Sequence, residues 1–435
     1  MSFTASMHHQ HMCYRRWFPR EPLGYLSRPN KPIGQSSVIK RMPSKARLRH
    51  VILIPSFPPR WRVGEGWSSS GGAEFTALNL SKYLFRRGSE VHVITRSERI
   101  VPYRETIQGV FVHRVLFPSH PIFLRFMNYI CSFIETVRLR PHLIHGIGMF
   151  QYGVIACISS RLLRTPLIIQ CMDDDVQFPN PLVIKLFWKM MLGSVQTIIV
   201  KERKSANRLV DFGVDLEKVV VLPNGVDASR FRLNRRKCRE YVDLRNHEKA
   251  ILFVGRLEPI KNVESLLIAF ARIREQFQDL RLLLVGAGTE MSRLKRIAAQ
   301  TRIDHCTNFI GEVSPLDVPR YMVAADIFVL PSISEGSPNV ILECLAAGLP
   351  ILASEVGGVP DLVANGKEGF LFKPGNVTQM ADLMSLLLRD SQLRRKMSRE
   401  GRRRANRFPL DGINAKIFQI SMSAIRNSST RQLRK

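Results

Sequence analysis

The sequence predicts an α/β protein of two domains with parallel sheets, on three observations. Short apolar runs of strand length alternate with longer amphipathic stretches at helical spacing along most of the chain. The 435 residues are long for one core and suit two domains of about 180 each. The run from Pro331 to Pro360 reads without interruption as strand, loop, helix and strand. A hydrophobic content of 45% excludes a mainly disordered chain.

Residues 1–50 carry ten Lys or Arg and one acid, Glu21, with no steady period, which predicts a solvated basic tail. The cluster H-H-Q-H at 8–11 fits such a tail better than a metal site, and the segment lacks the apolar core of a secretory signal. The first domain opens with the buried strand V-I-L-I at 51–54, followed by a loop rich in Pro, Gly and Ser. S-S-S-G-G-A-E then begins a helix over 73–87 that Gly88 ends, and 90–95 is the next strand. The pair Gly71 and Gly72 at this strand-to-helix turn lets backbone approach a ligand and aims the helix start at negative charge; a glycine pair also marks an ordinary surface loop.

Strands follow at 110–115, 143–145, 167–170 and 197–200, with a helix at 123–137. Ligands of parallel sheets sit beyond the carboxyl ends of strands, which puts His145 and the triplet Asp173, Asp174 and Asp175 at that edge. The helix V-I-K-L-F-W-K-M-M-L at 183–192 is read as core with its lysines turned outward, a membrane-surface helix being the alternative. V-L-P-N-G-V-D at 221–227 ends the domain on a turn signal.

The second domain opens with I-L-F-V-G-R-L-E-P-I-K-N at 251–262. A buried strand ends at Gly255, Arg256 follows at once, and Lys261 precedes a helix with Asn262 as its N-cap. Two cations at a strand's carboxyl end beside a helix start suit a diphosphate whose charge grows as a bond to it breaks. Away from such a site an Arg and a Lys are ordinary solvated side chains. L-L-L-V-G-A-G at 282–288 contains G-x-G, but Met291 replaces the third glycine of a dinucleotide fingerprint, so NAD binding is not expected.

I-F-V-L at 327–330 is a buried strand stopped by Pro331. Ser337 is the expected N-cap and Pro338 the first helical residue of a helix running to Ala347, ended by Gly348 and Pro350. The N–H groups of Asn339 and Val340 make an anion site, with no acid in that turn to compete. Glu343 lies in V-I-L-E-C-L-A-A, apolar nearly all round, where an unpaired carboxylate costs several kcal/mol or neutralises. It needs a partner: a ribose diol donating two hydrogen bonds, or one of the chain's many arginines. Glu335 by itself reads as an exposed loop residue.

The ordered run E-G-S-P-N-V-I-L-E, G-L-P-I-L-A-S, G-G-V-P-D-L-V and N-G-K-E-G-F-L-F resembles the retaining GT-B glycosyltransferases of glycosyltransferase family 4 (glycosyl transferases group 1), and the likeness spans residues 51–408. The resemblance implies two doubly wound Rossmann-like domains facing a cleft. Residues 51–227 would form the acceptor side, 228–248 the linker and 249–408 the nucleotide-sugar-binding domain. A crossover helix over 410–425 and a basic tail complete 409–435. It further implies sugar transfer from a nucleotide-sugar to a glycan, lipid-linked or polysaccharide-precursor acceptor, with retention, no cofactor and no bound metal.

Residue by residue, the resemblance implies that Arg256 and Lys261 stabilise the leaving diphosphate, that Glu335 contacts the sugar and that Glu343 holds the ribose. Gly71, Gly72, Gly255, Ser337, Pro338, Asn339 and Val340 would line the donor site, with Glu312 in F-I-G-E-V at the nucleobase. His145 and Asp175 fall on the acceptor side. C-M-D-D-D-V departs from the family's H-G-S-D-V by placing Met172 where many members have His, which speaks against a histidine-centred handling of the acceptor or the sugar 6-hydroxyl. The acidic triplet is not expected to hold a metal in such a fold.

The net charge of +29 predicts anionic partners. No helix-turn-helix, zinc ligand set or aromatic RNA-binding motif accompanies it, so a phosphorylated substrate or an acidic membrane surface accounts for it better than nucleic acid. Seven cysteines scattered singly, without C-x-x-C, indicate reduced thiols and a cytoplasmic site. With no run of eighteen apolar residues the protein is expected to be soluble or peripheral on the inner membrane face. Arg402, Arg403, Arg404 and the final R-Q-L-R-K read as solvated charge or lipid contacts. Two alternatives remain: a phosphorylase or epimerase using the same pocket, and a catalytically silent GT-B-like protein that binds anionic lipid or polysaccharide.

Overall fold

The computed structural model describes residues 47–57, 72–96, 103–115, 122–150, 152–172 and 182–433. The basic tail, Gly71 and the triplet Asp173, Asp174 and Asp175 lie outside the described residues.

The first half contains β1 (Arg49–Leu53), α1 (Gly72–Arg86), β2 (Glu90–Arg96), β3 (Arg104–Ile107), β4 (Val110–Val115), α2 (Ile122–Leu139), β5 (Leu143–Ile147), α3 (Tyr152–Leu163), β6 (Leu167–Gln170), α4 (Leu182–Gly193), β7 (Thr197–Val200), α5 (Arg203–Asp211) and β8 (Val219–Val221). The strands lie in the order β3-β4-β2-β1-β5-β6-β7-β8. Only the edge strand β3 runs antiparallel to its neighbour. Side chains alternate between the two faces, as the pleat requires. Val51, Leu53, Ile144 and Ile169 meet α2, α3 and α4 on one side. Ile52, Ile54, Ile147 and Ile168 meet α1 and the chain's last helix on the other. A sheet covered on both faces needs strands that are apolar throughout, which is why these runs do not alternate with polar residues.

The second half contains α6 (Arg235–Tyr241), β9 (Lys249–Val254), α7 (Val263–Arg274), β10 (Leu280–Val285), α8 (Met291–Gln300), β11 (Thr307–Gly311), α9 (Val318–Ala324), β12 (Ile327–Leu330), α10 (Asn339–Ala347), β13 (Ile351–Ser354), α11 (Val359–Leu362), β14 (Gly369–Phe372), α12 (Val377–Arg389) and α13 (Ser391–Ala405), followed by α14 (Leu410–Leu433). Its six strands are all parallel, in the order β11-β10-β9-β12-β13-β14. Both sheets are thus of the doubly wound, Rossmann-like kind.

The chain crosses between the halves twice, side by side. Val226 N–H donates to the Phe408 carbonyl at 2.8 Å and Leu410 N–H to the Val226 carbonyl at 3.1 Å. Beyond the second crossing α14 returns to the first sheet and buries Ile413, Ile417, Ala424 and Ile425 there.

The segment 228–248, expected as a linker, folds into the second half instead. Phe231, Cys238, Val242 and Leu244 are buried in its core. The arginines that hide this pattern in the sequence are tied down. Arg239 donates to the carbonyls of Ala324, Arg245 and Glu248, and Arg235 to those of Val323 and Ala325. Helix α4 buries Trp188, Met191 and Leu192 while Lys189 faces outward.

Candidate active site

The chain leaves β9 toward β10 and β11 on one side and returns at β12 to build β13 and β14 on the other. Loops from the carboxyl ends of β9 and β12 therefore diverge, and the crevice between them is where an open parallel sheet binds ligands. The loop after β9 supplies Arg256 and Lys261. The loop after β12 supplies residues 331–338.

These two loops are bound together. Ile333 N–H donates to the Ile260 carbonyl at 2.9 Å. Lys261 Nζ donates to Glu335 Oε1 at 2.6 Å, and Ser332 Oγ donates to the same oxygen at 2.6 Å. The Glu335 side chain is 6% exposed, so it is an anchored carboxylate and not the exposed loop residue that its sequence neighbours suggest. The correction has a plain cause: Ser332 is fully buried beneath the loop, and the Lys261 ammonium neutralises the charge that burial would otherwise penalise. Both bonds fall on Oε1; among the described residues Oε2 has no partner.

Arg256 is exposed and makes no salt bridge among the described residues. Two residues on, Glu258 accepts from Thr289 Oγ1 at 2.8 Å and from the Thr289 N–H at 3.3 Å. Those bonds, with a smaller contribution from Arg256, hold its carboxyl below the usual range. The strand ends approach so closely that side chains are excluded: a Cβ on Gly286 would lie 2.0 Å from the Gly255 carbonyl oxygen. The same holds beneath the other loop. Gly357 has φ +53°, and a Cβ there would lie 1.6 Å from the Glu335 carbonyl oxygen. Its neighbour Gly358 donates its N–H to the Gly336 carbonyl at 2.7 Å.

Helix α10 starts one residue later than the sequence suggests. Pro338, at φ −69° and ψ 118°, is extended and serves as N-cap, so the buried Ser337 stands outside the helix and does not cap it. The amides of Asn339 and Val340 still precede the first intrahelical bonds and remain the anion-binding end of the element. Asn262 likewise does not cap α7 with its side chain. It sits in the left-handed region at φ 49° and accepts from Ser265 Oγ at 2.9 Å.

Glu343 lies midway along α10, partly accessible, flanked by the buried Leu342 and Cys344. Burial pushes its carboxyl up to about 7, opposed by the Arg230 guanidinium. Among the described residues it has neither a hydrogen bond nor a salt bridge. The arginine alternative is therefore only half met: Arg230 acts on Glu343 through space, but its own contacts are the Pro315 carbonyl and the rings of Phe75, at 5.8 Å, and Phe231, at 6.0 Å.

The remaining expected residues divide. Glu312 follows β11 directly and is exposed, and Gly72 is the first residue of α1. His145 does not reach the edge of the sheet. It sits within β5, paired between Ile52 and Ile168 and 1% exposed, because β5 continues two residues past it to Ile147. Burial, with His50 and Lys201 nearby, pushes its imidazole down to about 3. Met172 packs against the core of that face of the sheet. Gly71 and Asp175 lie outside the described residues. Among the described residues no three His, Cys, Asp or Glu side chains converge as metal ligands.

Three site neighbours escape the sequence reading. Asn224, legible only as a turn residue of P-N-G, is buried and donates from Nδ2 to Asn339 Oδ1 at 2.7 Å, joining the first crossing to the start of α10. Ser332 and Arg230 carry no motif signal at all. Taken together, two cations, a helix start and Glu335 stand on the loops that leave β9 and β12, with Glu343 farther along α10. Cations beside a helix start can hold a diphosphate ester.

The family model described as Glycosyltransferase Family 4 matches residues 70–230, and that described as Glycosyl transferases group 1 matches residues 234–404. A D-inositol 3-phosphate glycosyltransferase of Nocardia farcinica (strain IFM 10152) is 27% identical over 84% of this chain and 86% of its own length. Sucrose-phosphate synthase from Thermosynechococcus elongatus superposes with a TM-score of 0.74 at 21% identity, over 88% of this chain and 100% of that one. Anabaena HepE, solved in complex with UDP-glucose, gives a TM-score of 0.69 at 20% identity over 87% and 100%. The two structures share the arrangement of two Rossmann-like domains.

Proposed function

The chain belongs to the GT-B glycosyltransferases of family 4 (glycosyl transferases group 1), and from that premise we propose that it transfers a sugar from a nucleotide-sugar to an acceptor hydroxyl with retention of configuration. The observation that carries this reading is the pairing of Lys261 with Glu335 at the β9/β12 crevice, beside the open start of α10 and the unpartnered Glu343. The diphosphate lies against Arg256, Lys261 and the amides of Asn339 and Val340. The ribose hydroxyls donate to Glu343, and Glu335 Oε2 accepts from a hydroxyl of the sugar. Gly72, Gly255, Ser337 and Pro338 shape the pocket, and Glu312 stands at the nucleobase side.

In the reaction the bond from the anomeric carbon to the diphosphate oxygen breaks while the acceptor oxygen bonds to the same face of that carbon. The acceptor proton passes to the departing phosphate oxygen. Charge grows on the diphosphate as the bond breaks, so Arg256 and Lys261 bind the transition state more tightly than the donor. These cations serve where a metal would otherwise be needed.

The acceptor is a glycan, a lipid-linked sugar or a polysaccharide precursor presented at the cytoplasmic side, with the protein in peripheral contact with anionic lipid. The net charge of +29 supports an anionic acceptor or surface, and a relative named for inositol 3-phosphate agrees with a phosphorylated acceptor. No helix of the described residues is long and apolar enough to cross a membrane. The test is incubation with UDP-, GDP- and ADP-sugars and phosphorylated or lipid-linked acceptors, in the presence of EDTA, with the product linkage read by NMR. Retained anomeric configuration is expected; inversion overturns the mechanism while leaving the transferase assignment in place.

A further inference from the structure

We propose that the solvent face of α2, α3 and α4 is the surface by which the protein docks on an anionic lipid bilayer. The inference rests on the membrane contact proposed above and names the residues that make it. The three helices lie side by side on one face of the first sheet, and each already buries a full stripe in the core. Tyr129 and Phe133 serve α2, Tyr152 and Ile155 serve α3, and Trp188 and Met191 serve α4.

Their outer stripes should then be polar, and they are not. Helix α2 exposes Ile130 and Ile134, the latter 55% exposed. Helix α3 exposes Ile158 and Leu162, the latter 62% exposed, and α4 exposes Phe187 and Met190. Spacings of three or four residues put each pair on one side of its helix. Exposed apolar side chains on three neighbouring helices mark an interaction site.

Charge selects the partner. Exposed Arg138, Arg161, Arg164 and Lys189 stand among these side chains. The one acid in all three helices, Glu135, is buried and bonded to Arg104 and His113 at 2.9 Å each. Large apolar side chains with cations among them, and no exposed carboxylate on the three helices, fit acyl chains below an acidic headgroup layer. A second copy of the chain would bring like charge against like charge. None of these helices is long and apolar enough to span, so on a bilayer they would lie in the interface. This docking turns the first half of the molecule toward lipid, where a lipid-linked acceptor is held.

The experiment is flotation of the purified full-length protein with vesicles of phosphatidylglycerol and phosphatidylcholine, and with phosphatidylcholine alone. The variant Ile130→Glu/Ile134→Glu/Leu162→Glu is compared with the wild type and with Arg395→Glu/Arg399→Glu, exposed positions on α13 where more positive charge is removed. Circular dichroism and UDP, GDP or ADP binding report that each variant is folded. Wild type should float with the anionic vesicles only, the first variant should lose about tenfold or more in partitioning, and the α13 variant should stay within about twofold. If the wild type floats and the first variant floats equally well, the face is wrong while membrane contact stands. If the wild type does not float, both fall. A wild-type dimer that the first variant turns into a monomer would make this face a self-interface and overturn the proposal.

Discussion

The two sheets of this protein each have a point where the strand order reverses, β1/β5 in the first and β9/β12 in the second, and among the described residues only the second carries charged side chains on the loops that leave those strands. At β9/β12 the loops carry Arg256, Lys261, Glu335 and the start of α10, and glycines clamp them from below. At β1/β5 the strand end holds Gly146 and Ile147, and His145, two positions before the end of β5, is turned into the core. The difference teaches that, among the described residues, the second half gathers its charged side chains on the turns of one sheet, whereas the corresponding turns of the first half carry none.

That contrast can be broken or sharpened by substitution. The largest effect is expected at the leaving group: Lys261→Met and Arg256→Ala should each lower kcat by about 10²–10³-fold in a sugar-transfer assay, the range for removing one preorganised charge partner. Gly357→Ala comes next. With φ +53° and a carbonyl oxygen 1.6 Å from the new Cβ, the loop carrying Glu335 has to move, at a cost of about 3 kcal/mol in thermal denaturation. Gly375→Ala, at φ +76° with open space around it, isolates the conformational part and should cost about 1 kcal/mol.

A pH-dependent effect is expected from Glu343→Gln. The wild-type carboxyl is raised to about 7 in the fold, so the stability it contributes is complete below about 4.5 and is lost as pH rises through 7. Without nucleotide, the glutamine variant should therefore gain on the wild type across that window, by about 3 kcal/mol at pH 8 in denaturant titrations. His145 gives the opposite sign. Its folded value of about 3 means stability present above 6.5 and lost as pH falls, so His145→Asn should flatten the acid limb of the stability curve. Its transfer activity at neutral pH should stay within about threefold. A larger loss would return His145 to the reaction and erase the contrast between the two switch points.

The sequence reading succeeds where the physics is local. Strand 327–330, helix 339–347 and the placing of Gly255, Arg256 and Lys261 at a strand's end need only apolar runs and turn residues to be seen. It fails where distant segments decide. The exposure of Glu335 depends on Ser332 and on Lys261, seventy-four positions away, and nothing adjacent to Glu335 announces either. His145 looks like a strand-end residue because G-I-G follows it, but pairing with β6 carries β5 on to Ile147. The burial of 228–248 is masked by arginines whose charge is absorbed by backbone carbonyls of another helix and loop. The start of α10 is off by one because a proline can stand on either side of a helix boundary.

The central claim is that the β9/β12 crevice, with Glu343 as its ribose acceptor, is a nucleotide-sugar site. Its most direct test is the thermal shift of the purified protein against UDP, GDP, ADP and their sugars, for wild type and Glu343→Ala. At a hundredfold excess over Kd, binding should stabilise the wild type by about 2.7 kcal/mol for one nucleotide series, and the variant should lose most of that shift. No shift with any nucleotide, or an equal shift in the variant, would contradict the account.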